Sequence, residues 1–357
     1  MAAALVAVSL PTVVRAQSSA LDRLSIHGYF TQGVAQSSDL PMAGVPTNTS
    51  ADLRVAALLG RFALTSKDQI TVQVRHRHFG SSAVTDAEGD LTLNWAFYEH
   101  KFGPLAAKVG RLPMPRGIYN EFRDVGTLIP FVRAPYRSYS EGFETIDGVA
   151  LRHRMGLGAG WEVESDAYYG NWKNALGRYN ADNTSYIRKQ VHENMIGGQV
   201  WLQTPVQGLR VGGVGAMFDR VEREDGEKIL EPNNFLGASL DASFARTMLR
   251  AEYRRDYEKA EEDTDFYVYA QAGVGVTSKV WLYAQTERRD QRELDDDEYE
   301  VENDYLDHAA AVNYRALPNL VFKLELHRAS GRSFDGYVAP GNRGRTTYGI
   351  LSTSFSF

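Results

Sequence analysis

His76 and His78 are the first side chains in this chain whose type and spacing could do chemistry. They lie two residues apart, which on an extended strand puts both imidazoles on one face. Two imidazoles can share a metal ion, but no third ligand with convincing spacing accompanies them, so no metal site is assigned. The chain has no cysteine. That removes disulfides, thiol catalysis and thiolate ligation. No G-x-S-x-G elbow, phosphate-cradling Walker loop or H-E-x-x-H pair is present. No catalytic residue and no cofactor is therefore assigned. A formal net charge of -6 and a pI of about 5.8 disfavour a nucleic-acid partner.

What remains is charge placed at alternate positions. From Leu320 to His327, Leu320, Phe322, Leu324 and Leu326 point one way, and Val321, Lys323, Glu325 and His327 point the other. Ile70, Val72 and Val74 alternate with Thr71, Gln73 and Arg75; Leu249, Ala251 and Tyr253 alternate with Arg250, Glu252 and Arg254. Helical periodicity is nearly absent. An oily face on every strand, with ions of both signs opposite it, does not suit a soluble core. It suits a closed barrel that turns its oily side to lipid and its ionic side to a wet lumen, since a closed sheet leaves no backbone edge unpaired. A mean hydropathy of -0.36 is compatible, because such a wall needs apolar residues only at alternate positions. The candidate lumen wall is Arg54, Arg75, Arg77, Lys108, Arg111, Arg152, Arg250 and Arg254. For each arginine, lining the lumen and merely pairing with an acid such as Glu252, Glu325 or Asp166 remain alternatives. Tyr267 and Tyr269 also fall on the inward face, while aromatics such as Phe30, Tyr98, Trp161, Tyr168, Trp201, Tyr314, Phe355 and Phe357 suit interfacial girdles.

Turn signals divide the chain into about sixteen strands, near 23–36, 52–65, 70–79, 91–101, 105–111, 143–154, 157–171, 190–204, 209–220, 233–244, 247–258, 264–277, 280–290, 304–316, 320–330 and 345–357. Short turns alternate with long polar connections at 37–51, 80–90, 112–142, 172–189, 221–232, 259–263, 291–303 and 331–344. That is the rhythm of an all-β, antiparallel up-and-down transmembrane barrel. About sixteen strands leave room for water inside. Residues 17–357 form one domain, with no linker dividing them. Ahead of it, the apolar run Ala2–Leu10 and the small residue before Gln17 read as an export signal over 1–16. The basic stretch expected before that run is missing, so the signal is read as truncated at its start.

Three segments carry a resemblance at residue level: the opening strand Leu24-Ser25-Ile26-His27-Gly28-Tyr29-Phe30, the stretch Val109-Gly110-Arg111-Leu112-Pro113-Met114-Pro115-Arg116-Gly117-Ile118-Tyr119, and the terminal Ser354-Phe355-Ser356-Phe357. With the strand pattern they make the chain resemble Gram-negative outer-membrane porins. The resemblance implies an outer-membrane location, passive diffusion of small hydrophilic solutes and ions, a homotrimer, and contact with outer-membrane lipid and lipopolysaccharide. It also implies recognition by the barrel-assembly machinery through Phe355 and Phe357.

In such channels the third long loop folds into the lumen and sets its narrowest section. Here 112–142 is the longest connection and the third in order. It carries Arg116, Glu121, Arg123, Asp124, Arg133, Arg137 and Glu141, with Glu144 just beyond, and Ile129, Pro130, Phe131 and Val132 as candidate anchors. Constriction is the favoured reading and an outward cover over the mouth the alternative. The competing function is a plugged outer-membrane barrel acting as enzyme or adhesin. His192-Glu193-Asn194 lacks the nearby serine of an outer-membrane lipase. Ion preference stays open, because the inward set leans basic while the loops, as in Lys259–Asp265 and Glu293–Glu300, lean acidic.

Overall fold

Every strand finds two neighbours. The computed structural model describes residues 22–80, 91–139, 143–179, 185–224, 227–259, 262–295, 298–332 and 343–357. The strands are β1 (Leu24–Ser37), β2 (Ser50–Ala63), β3 (Asp68–Phe79), β4 (Thr92–Phe102), β5 (Leu105–Pro113), β6 (Thr145–Gly158), β7 (Trp161–Tyr179) and β8 (Ser185–Gln203). They continue as β9 (Leu209–Glu224), β10 (Glu227–Ser243), β11 (Thr247–Glu258), β12 (Asp263–Gly275), β13 (Val280–Asp295), β14 (Glu298–Leu317), β15 (Leu320–Gly331) and β16 (Gly344–Ser356). Each pairs antiparallel with the next, and β16 returns to β1 through pairs such as Phe30 with Phe355 and Val34 with Leu351. The result is the closed antiparallel barrel expected from the alternation, which leaves the sheet no open edge. The proposed export signal and Glu141 lie outside the described residues.

The phase of the alternation is fixed by exposure. Leu324 and Leu326 are 58% and 61% exposed, whereas Lys323 and Glu325 are 1% exposed. From Phe322 to His327, side chains thus point outward when oily and inward when ionic. Phe30, Tyr98, Trp161, Tyr169, Tyr253, Tyr314, Phe355 and Phe357 stand on the outer surface. Tyr168 and Trp201 do not join them. They are buried inside, because strand parity places them inward. Trp201 covers Gly212 on the neighbouring strand; a Cβ there would come within 2.6 Å of the indole ring.

Three of the long connections expected from the sequence are strand over their described residues. The described parts of these stretches, 172–179 and 185–189, 221–224 and 227–232, 291–295 and 298–303, continue as strands, so that β7–β8, β9–β10 and β13–β14 form extended hairpins. Water on both faces removes the need for alternation beyond the lipid layer, while cross-strand pairing still satisfies the backbone. Polar composition therefore hid the strands.

The lumen is not uniformly wet. Leu53 and Ile350 point inward and pack with Met42 and Val45 of the 38–49 connection and with Val132. A second inward cluster joins Leu112, Met114, Ile146, Met195, Phe218 and Phe235.

Candidate functional site

The segment that follows β5 cannot extend the sheet. Pro113 and Pro115 have no backbone N–H to donate to a ladder, and Gly117 turns with a φ of 65°. The segment closes on itself at its neck. The Met114 amide donates to the Glu144 carbonyl at 2.9 Å, and Asn120 Nδ2 donates to the carbonyls of Met114 (2.9 Å) and Glu144 (3.0 Å).

Its charges meet the wall at β3. Arg75 Nη1 lies 2.7 Å from Asp124 and 2.5 Å from Glu144; Arg77 reaches Glu144 at 2.6 Å and Asp124 at 3.3 Å. Arg123 stands 3.7 Å from Glu144 and donates to the Tyr139 carbonyl. All five side chains are buried. Burial would push both carboxyls up, but the guanidinium charges of Arg75 and Arg77 outweigh it and hold Asp124 and Glu144 below the ordinary carboxylate range. A buried pair of this kind is costly to break, by about 3–5 kcal/mol, because the remaining charge is stranded.

The attachments continue round the barrel. On β11, Glu252 accepts from the Ile118 amide at 2.9 Å and from the Tyr139 hydroxyl. Tyr119 donates to Gln271 of β12 and accepts from Arg250 at 3.1 Å. Glu287 of β13 accepts from the amides of Arg137 (3.0 Å) and Ser138 (2.7 Å). Asn313 of β14 donates to the Pro130 carbonyl at 2.8 Å. Lys323 of β15 donates to the carbonyls of Ile129 (2.8 Å) and Phe131 (2.7 Å). Where β16 meets β1, the backbone itself touches the wall: a Cβ on Gly126 would fall 2.2 Å from Ser354 Oγ and 2.4 Å from Thr31 Oγ1.

The expected wall residues divide. Arg75, Arg77, Arg250 and Arg254 point inward and touch the segment. Arg152 also points inward, between Glu121 of the segment and Asp166 of β7, each at 2.7 Å. Lys108 faces Glu99 at 3.7 Å. Arg54 and Arg111 do not line the lumen. Arg54 follows an inward Leu53 and so turns outward, where it pairs with Asp52 at 2.8 Å and donates to His76 at 3.0 Å. Arg111 shares the outward parity of Val109 and grips Asp147 with two bonds of 2.7 and 2.9 Å. Arg133 donates to the Ala43 carbonyl at 2.8 Å. Burial, with Arg254 close by, pushes Arg116 down to about 9, still charged at neutral pH.

Sequence reading missed Glu252, Glu287, Lys323 and Tyr119 as attachment points. The first three stood on the polar face of alternating strands, but nothing in the pattern said that the inner segment would reach them. Among the described residues no group of three metal-ligating side chains occurs.

No protein-family model and no curated protein matches the sequence. Solved structures do. OmpT of Vibrio cholerae in its trimer form matches with a TM-score of 0.56 and 12% identity, covering 94% of this chain and 99% of that one. An anion-selective porin from Comamonas acidovorans matches with a TM-score of 0.57 and 11% identity, covering 94% and 99%. OprB of Pseudomonas putida matches with a TM-score of 0.63 and 10% identity, covering 96% of each chain. At such identities the likeness is one of architecture, and the chain's closed sixteen-strand barrel is the fold of the Gram-negative outer-membrane porins.

Proposed function

We propose that the protein is an outer-membrane porin, a passive diffusion channel for small hydrophilic solutes and ions. The observation that carries this reading is the inner segment: a closed barrel with an oily exterior holds a charged segment against its inward faces by hydrogen bonds from β3, β11, β12, β13, β14 and β15. Segment 114–139 acts as the constriction. Glu121, exposed and facing Arg152, marks one side of the passage. The clamp of Arg75 and Arg77 with Asp124 and Glu144 fixes the segment rather than presenting free charge to solutes. This narrows the bore below that of a barrel with an unattached loop.

Partners follow from the outer surface. Arg255, Arg288, Arg328 and Arg345 are exposed on outward positions near the long-loop ends of their strands, above the oily belt. Such a row suits the phosphates of lipopolysaccharide. Phe355 and Phe357 stand outward at the end of β16, which suits recognition by the barrel-assembly machinery. Trimer formation is supported by the trimer form of OmpT alone.

A plugged barrel is the second reading, favoured by how far round the wall the segment is attached. Liposome swelling separates the two. Reconstituted protein is expected to let the smallest sugars and amino acids enter and to exclude disaccharides. No swelling with any solute, from protein verified as folded, overturns the channel reading and leaves the plugged barrel.

A further inference from the structure

We infer that a cavity between Arg116 and Arg254 is a binding site for the oxyanion group, carboxylate or phosphate, of a small solute. The inference rests on the channel reading only for how the solute arrives. The cavity is small and open to solvent on one side; it lies between the inner segment and the wall and is lined by Arg116, Gly117, Tyr139, Ser239, Glu252, Arg254 and Tyr267, among others.

Arg116 differs from Arg75, Arg77, Arg152 and Arg250, each of which meets a carboxylate. It is 3% exposed, and among the described residues its bonds run only to backbone carbonyls, Phe143 at 3.0 Å and Ser138 at 2.5 Å. Arg254 Nη1 donates to the same Ser138 carbonyl at 2.6 Å. Two guanidiniums thus converge on one neutral oxygen. Arg254 has Asp256 at 2.7 Å, so one carboxylate serves two cations. Glu252 also lines the cavity, but it already accepts from Ile118 N, Ser239 Oγ, Tyr269 Oη and Tyr139 Oη. Those donors occupy its carboxylate oxygens.

The two planar groups are also held in place. Arg116 lies over the rings of Phe143 (5.2 Å) and Tyr139 (5.7 Å), and Arg254 over Tyr267 (4.1 Å). Stacking fixes the guanidinium planes, and planar cations held in this way suit recognition of an oxyanion. Gly117 keeps the space open: a Cβ there would fall 2.3 Å from Tyr139 Oη. Bringing in an anion relieves the repulsion of two buried like charges.

Calorimetry on the folded barrel in detergent tests this, with inorganic phosphate and succinate as separate probes. Saturable binding is expected for at least one of them. Arg116→Gln and Arg254→Gln, each checked for folding by heat-modifiable migration, are expected to weaken it by about tenfold or more. Arg254→Gln keeps the test open if Arg116→Gln does not fold. No binding of either probe by the wild type, or binding unchanged in a folded variant, overturns the site. Calorimetry needs no conduction. Binding by a non-conducting barrel would therefore sink only the channel reading, and conduction without binding would sink only the site.

Discussion

Arg75 and Arg77 stand two residues apart on β3, and that spacing lets both reach the same two carboxylates of the inner segment. Arg77→Gln is expected to loosen the attachment by about 3–5 kcal/mol, because Asp124 and Glu144 lose a buried counter-charge. Limited trypsin digestion of the folded barrel reads this: Arg123 and Arg133 should become cleavable in the variant and stay protected in the wild type. The pH dependence has a definite sign. Both acids are depressed in the folded state, so their contribution is complete above their unfolded values of about 4 and fades only as pH falls through the lower folded values. The part of the attachment made by Asp124 and Glu144 should therefore be unchanged from pH 8 to pH 5, read as constant protection of Arg123 from trypsin; protection already lost at pH 5 would show that the two acids are not held ionised. The inward facing of Arg75 and Arg77 was legible from alternation alone. The facing of Arg111 was legible too, since it lies an odd number of residues from Lys108 and the two cannot share a face of an unbroken strand. Arg54 was harder, because the oily side of β2 turns inward near the rim, under Met42 and Val45.

The inner segment is an element without regular structure, positioned by where its backbone can approach the wall. Gly126 is the tightest such place, against Ser354 and Thr31. Gly126→Val is expected to push the segment off the seam between β1 and β16, widening the bore while leaving the barrel's melting on gels unchanged. A variant that conducts as the wild type does would show that the wall gives way instead. That a long third connection exists was visible in the sequence. Its attachments were not, because Glu252, Glu287 and Lys323 become partners only through closure of distant strands. The extended hairpins were misread for a related reason: where water bathes both faces, composition no longer reports pairing.

At the scale of the whole molecule, the closed barrel and its phase were legible, since lipid outside and a polar interior impose period two on every membrane-crossing strand. The inward apolar clusters were not, because Leu53, Phe218 and Phe235 look like breaks in the pattern until the segments covering them are seen. The absence of cysteine makes single-site labelling clean. A spin label at Leu324 in reconstituted protein should be reached by oxygen in the bilayer, and one at Arg154, on the inward face of β6, by water-soluble nickel chelates. Interchanged accessibilities would reverse the phase.

Single-channel recording of the wild type beside the double variant Asp124→Asn/Lys323→Met tests the central claim most directly, since those two side chains tie the segment to separate parts of the wall, at β3 and β15. Small, uniform current steps are expected for the wild type and larger steps for the variant. Equal steps in both, or silence from folded wild-type protein, would contradict an attached segment that sets the width of a conducting pore.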